Sequence, residues 1–214
     1  MIILDIILII LLYSFFAISH TFLALSKIKR TIAENLGIKI AFYRLFYNFT
    51  SIVFLLALFI IAPHPDIIVY DLQFPFDIIT FALQILSLCG LIWAGKSIDW
   101  EEFLGITQIK RYYRNEYNIE DLDEKPTLNT TGAFKIVRHP IYLFSILFLG
   151  FRPTMNLFYL ILFICTVLYF YIGSFYEEKK LIEIFGNKYI EYKGQVSRLF
   201  PIMYFRKKYK IEKA

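Results

Sequence analysis

The chain has 214 residues, 58% of them hydrophobic and 19% aromatic, with a formal net charge of +5. Soluble domains run nearer ~45–50% apolar, and here the excess is gathered into long runs, which excludes an ordinary soluble fold. In so apolar a chain the positive charge reads as basic loops facing a cytoplasmic leaflet and the membrane lipids there, so no nucleic acid is expected.

Met1–Leu25 is almost uninterrupted Ile, Leu and Phe, and Phe42–Ala62, Phe74–Trp93 and Leu157–Gly173 have the same character. Runs of about 20 apolar residues match the hydrocarbon thickness of a bilayer. The first run lacks a basic leader, is too long for a signal peptide and ends in no small-residue cleavage site, so a retained helix is expected. His20 and Thr21 interrupt its end. A structural hydrogen bond is the plainer role for His20, and proton acceptance the sharper one. Cys89 and Cys165 lie inside apolar runs and are expected to be reduced packing residues.

Charge then orients the runs. Lys27, Lys29, Arg30, Lys39 and Arg44 follow the first; the next connection, "PHPDIIVYDLQFPF", has no Lys or Arg. The link from Lys96 to Lys135 is basic again, "FRPTMN" holds only Arg152, and the tail from Glu177 is dense in Lys. The positive-inside rule then predicts an all-α integral membrane protein with the N-terminus outside and about five spans. The long link, the tail and a C-terminal amphipathic helix are all placed in the cytoplasm. The three histidines are far apart and no Cys/His pair has ligand spacing, so no metal site is expected. His64 falls in an outer loop and is assigned nothing.

The stretch "KIVRHPIYLFSILFLG" sets Arg138 and His139 against only about ten apolar residues, too few to cross a bilayer alone. A helix starting near Ala133 and kinked at Pro140 is the expectation. Phe151-Arg152-Pro153 would turn it into Leu157–Tyr176, a hairpin that returns Arg138-His139 and Glu177-Glu178 to one membrane level. Arg138 could snorkel as a cap, or serve a carboxylate or phosphate bidentately. Its charge should lower the pKa of His139 and leave a neutral imidazole, a candidate base. Glu177 and Glu178 should repel each other, which a bound cation would relieve. Beyond them Leu181, Ile182, Phe185, Tyr189 and Tyr192 recur at helical spacing, as in a helix lying on the bilayer.

With these residues in view, "GAFKIVRHPIY", a hairpin, and "EEKKLIEIFGNKYIEYKGQVSRLFP" resemble the C-terminal half of the isoprenylcysteine carboxyl methyltransferase and phospholipid methyltransferase superfamily. "SHTFLALSKIKRTIAENLGIKIAFYRLFYNFTSI", "FLGITQ" and "RPTM" are similar to its NnrU-like and methanethiol S-methyltransferase branch. The resemblance implies a single methyltransferase-like domain over residues 1–214, with N-terminal helices in 1–98 and a cofactor-binding half in 126–201. It implies S-adenosylmethionine bound in a pocket open to the cytoplasm. Pro126, Thr127, Leu128, Asn129, Phe134, His139, Pro140, Ile141 and Tyr142 would line that pocket. Glu177 and Glu178 would hold the cofactor's charged end, and His139, Arg138 and His20 would be the catalytic candidates. Two positions depart from the isoprenylcysteine enzymes. Gly173 stands where those enzymes carry a substrate-handling Arg, and Phe134 where they carry Tyr. The first argues against a prenylcysteine carboxylate and toward a small apolar thiol such as methanethiol. The alternatives are a prenylcysteine carboxylate or phospholipid amine as acceptor, or a non-catalytic NnrU-like membrane protein.

Overall fold

The computed structural model describes residues 1–119 and 127–205. Pro126 lies outside the described residues. The elements run α1 (Ile2–Ala24), α2 (Ser26–Leu36), a 3-10 segment (Gly37–Phe42), α3 (Tyr43–Ile61) and β1 (Ile68–Asp71). There follow α4 (Phe76–Gly95), α5 (Trp100–Leu104), α6 (Ile106–Tyr113) and a 3-10 turn (Gly132–Lys135). The chain continues through α7 (Pro140–Gly150), β2 (Thr154–Asn156), α8 (Leu157–Phe185) and α9 (Asn187–Gln195).

Among the described residues, four helical stretches are long and apolar enough to cross a membrane: Ile2–Ala24, Ser26–Ile61, Phe76–Gly95 and Leu157–Phe185. Side chains such as Phe15, Ile60, Leu86 and Leu168 stay exposed on them, as lipid-facing positions do. The chain is thus a multi-pass, mostly helical membrane protein. α7, expected as a span, has 11 residues; at 1.5 Å per residue it covers roughly 16 Å, about half the hydrocarbon core.

The chain divides into two units. The first comprises Met1–Pro65 and Ile98–Pro126. Within it α1 packs on α3, and α5 on both α3 and α6. Asp99 caps α5 by accepting the Glu102 amide at 3.1 Å. Arg44 and Asn48 of α3 both donate to the Phe103 carbonyl, at 2.8 and 2.9 Å. That carbonyl is among those a helix end leaves unpaired. Gly105 then turns the chain at φ +90°, and a Cβ there would meet the Leu45 amide at 2.9 Å, so only glycine fits.

The second unit comprises Asp66–Ser97 and Thr127–Ala214. Its largest contact is between α4 and α7. Gly90 lets the Phe144 ring lie directly on the α4 backbone. β1 and β2 pair antiparallel, Tyr70 opposite Met155 and Asp71 opposite Thr154. Asn156 caps α8 by accepting the Tyr159 amide at 2.9 Å.

Three expectations are corrected here. Pro140 does not kink a helix begun near Ala133; it occupies the first turn of α7. Proline favours that position because its missing N–H has no helical partner there. Residues 137–139 run extended instead, Val137 bridging Ser197 in parallel. Nor is there one long surface helix after Glu177. α8 continues unbroken through Glu177 and Glu178 to Phe185, and Gly186 at φ +54° separates it from the nine-residue α9. Cys89, expected to pack, is exposed.

Candidate active site

The extended segment before α7 builds the site. Pro140 holds the preceding residue away from helical geometry, and His139 adopts φ −121°, ψ 68°. The Arg138 and His139 amides therefore reach sideways, donating to the Ser197 and Arg198 carbonyls at 2.8 and 3.1 Å. This pins the residues after α9 against the start of α7. It also brings Arg198 beside Arg138, sixty positions earlier in the chain.

Glu177 and Glu178 arrive on α8. Consecutive helical residues point about 100° apart, so the pair divides. The Glu178 side chain is 2% exposed and that of Glu177 52%. Glu178 accepts from Arg138 Nε at 2.8 Å, Arg138 Nη2 at 2.7 Å, Arg198 Nε at 3.1 Å and Arg198 Nη2 at 3.2 Å. Lys193 Nζ lies 3.5 Å away. Arg138 Nη1 donates to the Lys193 and Val196 carbonyls, and Arg198 lies 3.7 Å over the Phe175 ring. A carboxylate buried in this way needs paired charge and hydrogen bonds, and here it has both. The cation expected to relieve the two acids is supplied by the chain itself. The guanidinium of Arg138, expected to serve a ligand, is spent on Glu178 and two backbone carbonyls.

His139, also buried, sits between the two carboxylates: Nδ1 is 3.1 Å from Glu177 and Nε2 3.4 Å from Glu178. Burial opposes charge on the ring, yet the hydrogen bonds and charges of Glu177 and Glu178 outweigh it and raise its pKa above the ordinary value. This reverses the expected direction. Arg138 faces Glu178 and cannot act on His139 as an unscreened charge, while two acids do.

Rings complete the surroundings. His139 stacks on Tyr142 at 5.3 Å, and Tyr142 on Phe170 at 4.2 Å with the planes 4° apart. The Tyr142 hydroxyl donates to Glu177 at 2.8 Å. Tyr192 donates to the Phe134 carbonyl at 2.7 Å. Tyr189 is 1% exposed, and its hydroxyl has no hydrogen-bond partner among the described residues. Burial, aided by the Glu178 charge, pushes its phenol up to about 12, and burial likewise raises Tyr192.

Arg138, His139, Pro140, Tyr142, Glu177 and Glu178 thus meet at one place, with half-buried Ile141 next in sequence. Asn129 forms a turn by accepting from the Thr131 amide at 3.1 Å and donates to the Ser97 carbonyl at 3.5 Å. Thr127, exposed, and Leu128, half-buried, precede that turn. The sequence reading missed Arg198, Lys193 and Phe170. Arg198 stands inside the quoted "QVSRLFP", so the motif carried its signal; Phe170 had none beyond its place two turns before Glu177.

His20 belongs to the first unit. Ser51 Oγ donates to the Tyr47 carbonyl at 2.7 Å, so His20 Nδ1 must donate to Ser51 Oγ at 2.8 Å. Its Nε2 then accepts from the Tyr47 hydroxyl at 2.7 Å. One tautomer satisfies all three groups.

Residues 83–188 match the phospholipid methyltransferase family model. Methanethiol S-methyltransferase 1 of Bradyrhizobium diazoefficiens is 29% identical over 194 residues, covering 89% of this chain and 65% of the relative. Methanethiol S-methyltransferase of Pseudomonas deceptionensis is 28% identical over 200 residues, covering 90% of this chain and 71% of the relative. The chain thus spans about two thirds of the length of these relatives, and no solved structure matches it. The chain is thus similar to the phospholipid methyltransferase family over residues 83–188 and to the methanethiol S-methyltransferases along most of its length.

Proposed function

We propose that this protein is an S-adenosylmethionine-dependent membrane methyltransferase acting on a small apolar thiol such as methanethiol. The observation that carries the reading is Glu177. It is a half-exposed carboxylate held by Tyr142 and His139 at the end of an apolar span, in a chain related to enzymes named for methanethiol methylation.

The residues fit the cofactor. Glu177 is an acceptor for an ammonium group; Tyr142 is stacked between His139 and Phe170, so a flat ring or a sulfonium would meet the outer face of Phe170 by cation–π contact. When bound, S-adenosylmethionine supplies an electrophilic methyl group on a positively charged sulfur. Opposite charges cancel as a thiolate takes that methyl, so a water-poor setting at a membrane edge favours the step. Arg138 and Glu178 act as positioning residues, fixing the start of α7 to α8. His139 keeps its proton toward Glu177 and orients it. Thr127, Leu128, Asn129, Phe134 and Ile141 complete the pocket in this reading. An outside N-terminus, with the site facing the cytoplasm, follows from the loop charges.

Gly173 supports the small acceptor: the residue one turn before Glu177 carries no side chain to receive a carboxylate. The test is calorimetric titration of S-adenosylmethionine into detergent-purified protein, followed by conversion of methanethiol to its thioether. Saturable binding weakened by Glu177→Gln and His139→Ala is expected. Folded protein that binds no cofactor would remove the enzyme reading; binding without thiol turnover would redirect it to prenylcysteine or phospholipid acceptors.

A further inference from the structure

A cavity of about 300 Å³ in the second unit is lined by Arg138 and Arg198 together with Tyr171, Leu199, Phe200 and Ile202. The methyl-transfer reading gives Arg138 a positioning role but assigns this cavity no ligand. Leu199 is buried, whereas Tyr171, Phe200 and Ile202 are more than half exposed.

Charge around this cavity does not close. Arg138, Arg198 and Lys193 all converge on the one Glu178 carboxylate, within 3.5 Å. Counting Glu177 as well, three fixed cations face two carboxylates, and His139 adds positive charge whenever it is protonated. Arg198 commits Nε and Nη2 to Glu178, leaving Nη1 without a partner among the described residues. The cavity therefore favours an anion.

An apolar track leads to it. Ile164, Leu168, Tyr171, Ile172 and Phe175 are each 46–55% exposed. Their spacing of four, three, one and three residues places them on one face of α8. From Ile164 to Phe175 this stripe is roughly 16 Å long, about the depth of one bilayer leaflet. Its last ring, Phe175, lies under the Arg198 guanidinium. A lipid-facing helix needs an apolar surface, but nothing in that need requires the surface to end at a half-committed arginine.

We infer that this cavity is a binding site for an anionic phospholipid, its phosphate against Arg198 and an acyl chain along the α8 stripe. The site shares Arg138 and Arg198 with the Glu178 cluster but not Glu177, and it is read by lipid retention rather than cofactor binding, so it stands or falls separately from the methyl-transfer reading.

The full chain, delipidated in detergent, is offered phosphatidylglycerol or phosphatidylcholine, and the retained lipid is measured by native mass spectrometry. Neither lipid carries a methyl-accepting amine. Phosphatidylglycerol is expected to be retained about five-fold better, as for a lipid charge beside one basic side chain. Tyr171→Ala and Phe200→Asn change no charge and alter exposed positions, so they test the track without unfolding the cluster; each should reduce the preference. Lys110→Gln, which removes an exposed charge from α6, should leave it intact. Equal retention of the two lipids, or a preference that survives both cavity substitutions, overturns the site. Complete displacement by inorganic phosphate would show a simple phosphate pocket and overturn the lipid as occupant.

Discussion

Two polar clusters invite comparison, one in each unit. Around His20 the hydrogen-bonding partners are neutral and lie within 2.8 Å: Ser51, the Tyr47 hydroxyl and the Tyr47 carbonyl close a loop of hydrogen bonds, with one cation, Arg44, 5.2 Å over the Tyr47 ring. Around Glu178 the groups are charged, come from three separate stretches of chain, and do not balance. A neutral network can be closed by choosing a tautomer. An ionic one is fixed by how many side chains each element brings, and a surplus is stable only where a ligand or solvent takes it up. The second cluster, beside half-exposed Glu177, is accordingly the better candidate for chemistry.

The largest test of that contrast is Glu178→Gln. It leaves Arg138 buried without a counter-charge and Arg198 nearly so, and should cost about 3–5 kcal/mol, read as a large drop in the detergent unfolding temperature. A shift of only a degree or two would mean that solvent already screens the cluster. Its neighbour should behave differently. Glu177→Gln is expected to leave the unfolding temperature almost unchanged while weakening S-adenosylmethionine binding about ten-fold or more, the scale of a hydrogen bond to a charged group. If both substitutions act alike, the division between a structural and a ligand-facing acid collapses.

In the neutral cluster Tyr47→Phe removes one hydrogen bond to His20 and should cost about 1 kcal/mol, measured by the same unfolding assay. A much larger loss would show that the first unit depends on its network as strongly as the second does on its ions. The smallest effect is expected in a pH series. His139 has a folded pKa above the ordinary 6.5. Its attraction to Glu177 and Glu178 is therefore complete below about 6.5 and is lost as pH rises through the higher folded value. Unfolding temperature should decline across that alkaline side, and His139→Gln should flatten the decline. A stability that instead rises over this window in the unmodified protein, and not in the variant, would reverse the assignment.

Much of the fold was legible because local composition reports solvent directly. The apolar stretches at Met1–Leu25, Phe42–Ala62 and Phe74–Trp93 reappear as α1, α3 and α4 within a few residues. Asn156 before Leu157 and Gly186 after Phe185 mark where α8 begins and ends. Pro140 was misread, since its ring suits both a kink and a first turn, and only the pairing of residues 137–139 with 197–198 decides between them. The adjacency of Glu177 and Glu178 was plain, but periodicity alone could not say which would face inward.

What the sequence by itself determined is the membrane class, the meeting of the R-H-P segment with the two acids, and the likeness to methyltransferases. Those follow from hydropathy, helix rise and short motifs, all of them local. Tertiary structure alone decided the charge state of the site. Arg198 and Lys193 reach Glu178 from 20 and 15 residues further along, after a helix break at Gly186 and the return of residues 197–198 to the start of α7. Coulomb energy depends on distance in space, and a chain that folds back brings together charges that its order keeps apart.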